Sequence, residues 1–175
     1  MLAEAESVRF ERIVLPHLDS AYNLARWLVR NGTDAQDLVQ EAYLRAWKGF
    51  PGFRGLDGRG WLLTIVRNTC YTWLHENRRQ DLAVEFSEDL HSHDGEVPEP
   101  ERLLVESTSR KTLEKALQEL PAEFREVIVL RELDGCSYKE ISEIAGVPIG
   151  TVMSRLARAR VRLQLCLAPR APKEA

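Results

Sequence analysis

The stretch Asp81-Leu-Ala-Val-Glu-Phe-Ser-Glu-Asp-Leu-His-Ser-His-Asp-Gly-Glu-Val-Pro-Glu-Pro100 lacks a sustained helical period and contains Gly95, Pro98 and Pro100. It reads as a flexible acidic linker, placed at residues 81–106, that divides the chain. The flanking parts, residues 1–80 and 107–170, are small but sufficient for helical units. With 44% apolar and 29% charged residues over 175 positions, the chain is ordinary globular material. Apolar residues outside the linker recur at helical spacing, so the expected fold is all-α, with two small helical domains.

Charge sharpens this division. The whole chain carries a net charge of −3, which alone speaks against nucleic acid. Its distribution says otherwise. Residues 50–80 hold a balance of about +3, residues 81–106 about −8, and residues 149–175 about +5. Two basic segments are therefore joined by an acidic one, and each part has to be read separately for its partners.

In the N-terminal part an apolar stripe runs from Phe10 to Val29 at helical spacing. Asn31-Gly32 makes a turn, and Thr33-Asp-Ala-Gln36 has the form of a capping box opening a second helix. That helix buries Leu38, Val39, Ala42, Tyr43, Ala46 and Trp47, and it sets Asp34, Asp37, Glu41 and Arg45 on the opposite side. The segment from Phe50 to Gly60, with four glycines and a proline, interrupts the helical pattern. A third helix, from Trp61 to Arg79, has Trp61, Leu62, Ile65, Val66, Thr69 and Leu74 as its expected inner set. Arg67, Asn68, Tyr71, Thr72, Arg78 and Arg79 fall at or near the surface. Exposed aromatics among arginines make a stacking platform for single-stranded nucleic acid. The alternative, that Tyr71 and Trp73 pack against the first helix, stands equally open.

The C-terminal part carries the most specific pattern. Pro121 fits the first turn of a helix reaching Leu133, and Asp134-Gly135 stops it. Ser137-Tyr-Lys-Glu140 is a capping box for a short helix ending at Gly146, and a basic helix follows from about Ile149 to Leu167. Such an arrangement is the helix-turn-helix plan. Ile141, Ile144, Val147, Val152 and Leu156 would fix the angle between its helices. Thr151, Ser154, Arg155 and Arg158 share one face, flanked by Met153 and Arg162, where arginines can read guanine and hydroxyls can hold phosphate.

Asp34-Ala-Gln-Asp-Leu-Val-Gln-Glu-Ala-Tyr-Leu-Arg-Ala-Trp47 and Gly60-Trp-Leu-Leu-Thr-Ile-Val-Arg-Asn68 resemble sigma region 2 of bacterial sigma factors. The segment from Leu120 to Gly135, Tyr138-Lys-Glu-Ile, and the segment from Val147 to Arg160 resemble region 4. Having these two regions alone, in this order, resembles the extracytoplasmic-function (ECF) group. The resemblance implies that Asp34, Asp37, Leu38, Gln40, Glu41 and Leu44 dock on the largest subunit of core RNA polymerase. It implies that Phe53, Arg54, Arg59, Trp61, Arg67, Asn68, Tyr71, Arg78 and Arg79 meet the single strand of the −10 element, where an extruded base is captured. Lys139, Gly150, Thr151, Met153, Ser154, Arg155, Arg158 and Arg162 would read the −35 element in the major groove. The acidic linker would follow the RNA-exit path, and an anti-sigma factor is the expected regulator. Thr72, Trp73 and Glu76 depart from the family pattern near the end of the third helix, and Met153 fills a variable base-facing position.

Two other functions compete. A free-standing helix-turn-helix regulator would usually dimerise over two half-sites, yet the sequence offers no obvious dimerisation helix. A metal enzyme could be suggested by His91-x-His93 with Asp94 and Glu96, but these lie in the proline-containing linker, not in a closed ligand set. Neither a cofactor nor catalysis by the chain itself is expected. No run spans a bilayer, and the acidic N-terminus does not look like a signal peptide. The three separated cysteines, Cys70, Cys136 and Cys166, fit reduced, buried thiols in a cytoplasm.

Overall fold

Pro16 decides how the chain begins. It occupies a 3-10 turn, Leu15–His17, that splits the expected first stripe into α1 (Leu2–Ile13) and α2 (Leu18–Val29). The computed structural model describes residues 2–83 and 101–168, and side chains over 4–78 and 109–168. Helix α2 ends on Arg30 in the left-handed conformation, φ 63°. The cap of α3 (Gly32–Gly49) is Asn31, not the expected Thr33 box: its side-chain oxygen accepts from the Thr33 and Asp34 N–H groups at 2.8 and 3.3 Å. An Asn cap uses two otherwise orphaned donors at once, which is why it wins.

Helix α4 (Gly58–Ala83) starts three residues earlier than the sequence suggests. Asp57 makes this start, its carboxylate accepting from the Gly60 N–H at 3.1 Å. Gly58 has a separate role. A Cβ there would overlap the carbonyl oxygen and Cγ2 of Ile13, so the end of α1 sits directly on the first turn of α4. Helices α2, α3 and α4 pack on one another around Leu24, Leu28, Leu38, Ala42, Leu62 and Val66, all buried.

The C-terminal part follows the expected plan. It comprises α5 (Glu101–Glu119), α6 (Ala122–Ile128), a wider π turn over Val129–Leu133, α7 (Tyr138–Ala145) and α8 (Ile149–Leu167). Pro121 sits just outside α6 as its cap, and Gly135 at φ +66° ends the π turn. The Ser137–Glu140 capping box is formed in both directions, at 3.1 and 2.6 Å, and Gly146 closes α7 in the left-handed conformation. Val127, Leu130, Ile141, Ile144, Val152 and Leu156 are the core of this unit.

The helical ends encroach on the expected linker, since α4 reaches Ala83 and α5 begins at Glu101. The linker's expected course, and the histidine pair within it, lie outside the described residues. The two halves also touch: α4 packs on α7, and α2 on α6. This second neighbour widens the buried band of α4 beyond the expected inner set. Leu63 and Cys70 are fully buried, whereas Trp61, Ile65 and Leu74 are half-buried. Trp47, expected inside, is 44% exposed, resting only one edge on Phe10.

Two outcomes follow from this packing. Gly58→Ala should lower stability by about 1–3 kcal/mol in chemical denaturation, because the methyl group overpacks a backbone contact. Helix propensity alone would give the opposite sign, by roughly 1 kcal/mol. Cys70 and Cys136 are buried, and burial pushes their thiols up to about 12 and about 11. Cys166, expected to be buried, is instead exposed on the last turns of α8. A disulfide reagent should therefore modify a single thiol per native chain promptly, and the other two only after unfolding.

Candidate polymerase and nucleic-acid interfaces

The outer face of α3 presents Asp37, Gln40 and Glu41 to solvent, with Asp34 half-buried. Glu41 is paired with Arg45 one turn on. Leu44 is 62% exposed on this acidic face, an apolar group left uncovered among the described residues. Leu38 is buried, as the helical period predicts, and this contradicts the docking role that the resemblance implies for it. At 5% exposure it belongs to the core between α2 and α4 and offers no surface to a partner.

The loop before α4 is more closed than the sequence suggests. Phe53, expected to meet a nucleic-acid base, is only 8% exposed. Its ring lies 4.6 Å from that of Trp61 and 5.8 Å from that of Phe50, and Arg9 donates to its carbonyl at 3.1 Å. Aromatic contacts on two sides hold it as part of the core. The outer part of the loop remains available, with Arg54 exposed and hydrogen-bonded to the Pro51 carbonyl. Arg59 instead crosses to the C-terminal half, donating to the Asp134 carbonyl and to Cys136 Sγ.

Further along α4, Asn68 and Arg78 are exposed, while the Arg79 side chain lies outside the described residues. Arg67 and Tyr71 were expected at the surface, but α6 covers them. Arg67 Nε donates to Glu126 Oε1 at 2.6 Å, and the Tyr71 hydroxyl donates to Glu126 Oε2 at 3.0 Å. The Arg67 guanidinium also lies 4.2 Å from the centre of the Tyr71 ring. Glu126 has no solvent exposure. Burial raises its carboxyl from the ordinary range, and the charge and hydrogen bond of Arg67, the hydrogen bond of Tyr71 and the charge of Arg155 act against that rise. Breaking a buried pair by removing one partner typically costs about 3–5 kcal/mol, because an uncompensated charge is left behind.

The neighbouring Arg125 is also buried and ties the same two halves together. It donates to the carbonyls of Gln118 and Leu120 in its own half and, at 3.1 Å, to that of Leu28 in α2. Burial and the nearby Arg30 push its guanidinium down to about 10. Sequence reasoning missed both residues. Their signal was present: Arg125-Glu126 opens the apolar run Val127-Ile-Val-Leu130, and buried charges need partners.

On the basic helix α8, Gly150, Met153, Ser154, Arg158 and Arg162 are exposed, and Thr151 is half-buried. Lys139 is exposed at the start of α7. Arg162 lies over the Phe124 ring, 4.9 Å from its centre, and with Arg158, Ala157 and Val161 it borders an open groove. Arg155 departs from the expected set. It is half-buried, and its Nη1 is enclosed without a hydrogen-bond partner, so the side chain turns at least partly inward.

Comparison with known proteins accounts for both halves. The family model described as "Sigma-70 region 2" matches residues 13–80, and that described as "Sigma-70, region 4" matches residues 110–163. The ECF RNA polymerase sigma factor SigE of Mycolicibacterium smegmatis is 34% identical over 94% of this chain, which spans only 64% of that protein's length. The ECF RNA polymerase sigma-E factor of Escherichia coli is 34% identical over 86% of this chain and 82% of its own. Among solved structures, the sigma factor RpoE of Bartonella quintana, in complex with the anti-sigma factor NepR, superposes with a TM-score of 0.72. It shares 32% identity and covers 93% of this chain and 99% of its own. CnrH, in complex with the cytosolic domain of CnrY, gives 0.64 at 25% identity, over 97% of this chain and 96% of its own. A lone helix-turn-helix regulator would leave residues 13–80 without a counterpart. The chain belongs to the sigma-70 family of RNA polymerase sigma factors, in its extracytoplasmic-function group.

Proposed function

We propose that this chain brings core RNA polymerase to a specific set of promoters, using α3 to dock, α4 to take the −10 strand and α8 to read the −35 element. The observation that carries the proposal is the ordered match of regions 2 and 4 on one chain. The exposed Asp37-Gln40-Glu41 face with Leu44 at its centre is the polymerase contact, charged at the rim and apolar in the middle. Asn68, Arg67, Tyr71 and Arg78, with Arg54 and Arg59 of the loop, grip the strand through stacking and phosphate contacts. A pocket that binds an unstacked base drives melting as well as recognition.

In the major groove, Lys139, Met153, Ser154, Arg158 and Arg162 supply the outward contacts, with Thr151 and Gly150 near the backbone. Arg155, half-buried, contributes partly through the fold. The domains act as units of about residues 1–83 and 101–168, in a cytoplasm where polymerase is found, and the chemistry is the polymerase's. The relatives of known structure are described in complexes with the anti-sigma factor NepR and with the cytosolic domain of CnrY. A protein that clamps both domains is accordingly the regulator proposed here.

Transcription in vitro with purified core polymerase over a promoter library tests the reading: enrichment of a defined promoter set supports it, and no initiation at any template contradicts it. Asp37→Lys should abolish association with core polymerase while the circular dichroism spectrum stays native; normal association of the folded variant would remove α3 from the contact. Arg158→Ala should weaken −35 recognition by about 1–3 kcal/mol without loss of stability. Arg155→Ala should lower the melting temperature as well, since its side chain is partly enclosed. Equal stability of the two variants would place Arg155 back on the surface.

A further inference from the structure

We propose that Arg9 is a positioning residue for promoter recognition: from α1 it fixes the loop of residues 53–57, and so decides which base of the −10 element that loop accepts. The inference rests on the reading of this loop as a −10 contact. Arg9 acts through Phe53 and not on the strand itself.

Helix α1 grips the loop at both ends. At one end Arg9 Nη2 donates to the Phe53 carbonyl at 3.1 Å, and its guanidinium lies 4.8 Å from the centre of the Phe50 ring and 5.9 Å from that of Phe53. Arginine suits this place, because its planar head donates in its own plane while its face rests on a ring. At the other end Ile13 bears on Gly58, with no room between them for a Cβ. Arg9 and Ile13 are four residues apart, so they share one face of the helix. Phe10, next to Arg9, stands nearly perpendicular to Phe50 with 5.1 Å between the ring centres. Arg9 precedes residue 13, where the match to region 2 begins.

What Arg9 holds is passed to the loop tip through Phe53. Gly55 lies against the Phe53 ring, where an added Cβ would stand 3.0 Å from Cε2 and Cζ. Leu56 follows at 93% exposure, and Arg54 on the other side is also exposed. The other hydrogen bonds of the loop are local: Arg54 to the Pro51 carbonyl, the Phe53 N–H to the Phe50 carbonyl, the Gly58 N–H to the Leu56 carbonyl, and the Gly60 N–H to Asp57. Among the described residues, Arg9 thus provides the one hydrogen bond that reaches residues 53–57 from outside residues 50–60. Discrimination between bases is a difference between contact energies. A loop held in one shape offers its tip to one base, whereas a freed loop refits to several and has to be ordered anew for each.

The test uses holoenzyme assembled from the full chain and core polymerase, on a promoter from which the native chain initiates. Each position of its −10 and −35 elements is changed to the other three bases in turn, and initiation on each template is compared with the parent. Arg9→Met removes the charge and the donors but keeps an unbranched stem beside Phe50, and Arg9→Lys keeps the charge without the planar fork. Loss of a charge-assisted hydrogen bond and a cation–π contact should lower discrimination at one −10 position by about tenfold, with Arg9→Lys intermediate and the −35 preferences unchanged. Should Arg9→Met fail to fold by circular dichroism, Arg9→Lys carries the test, with a loss of about threefold at the same position. Weaker initiation on every template in equal proportion would overturn the proposal, since lost stability or a lost phosphate contact acts that way. Leu56→Ala separates the proposal from the reading beneath it. If Leu56→Ala alters the −10 preference and the Arg9 variants do not, the loop reads the strand without Arg9 and the proposal falls. If none of them alters it, the −10 role of the loop falls as well.

Discussion

A carboxylate with no exposure to water has to be neutralised or matched, and in this chain that requirement joins two halves that sequence alone would leave independent. Glu126 satisfies it with Arg67 and Tyr71 across the boundary between α6 and α4. The contact aligns the two domains so that Arg125 reaches Leu28 and Arg59 reaches the turn after α6. It also sets which surfaces are open. The acidic face of α3 and the outer face of α8 stay exposed, while much of the inner face of α4 is covered.

The acidic face of α3 and the outer face of α8 are open to solvent, whereas Arg67 and Tyr71 on α4 are engaged by Glu126. The partners proposed for α3 and α8 therefore meet surfaces that are already exposed, while the strand contacts proposed for α4 fall on residues that also carry the contact between the halves.

Much of this was legible before any coordinates. The caps at Ser137 and Gly146, the stop at Gly135 and the basic helix beyond Pro148 are local signals, and local chemistry decides them. The acidic face of α3 was legible for the same reason. Pro16 carried the break between α1 and α2, but the continuous apolar stripe concealed it. What could not be read were choices made by distant partners. Phe53 looks like a loop aromatic until Phe50, Trp61 and Arg9 close around it. Arg67 and Tyr71 lie on the outward face of their own helix and are buried only by another domain. Leu38 was given a docking role by resemblance against its own helical period, and Arg155 was set on the outer face by spacing; their packing shows them to be wholly and partly inside.

The central claim is that the Glu126 contact joins the two halves in one arrangement. Pulsed electron paramagnetic resonance measures this directly, with one nitroxide on the exposed native Cys166 and a second on Glu11→Cys, an exposed position of α1. Cys70 and Cys136 are buried and should stay unlabelled. The account predicts one narrow distance population for the native chain and a broader one in a folded Glu126→Gln variant. A broad distribution in the native chain, or an unchanged one in the folded variant, would contradict it.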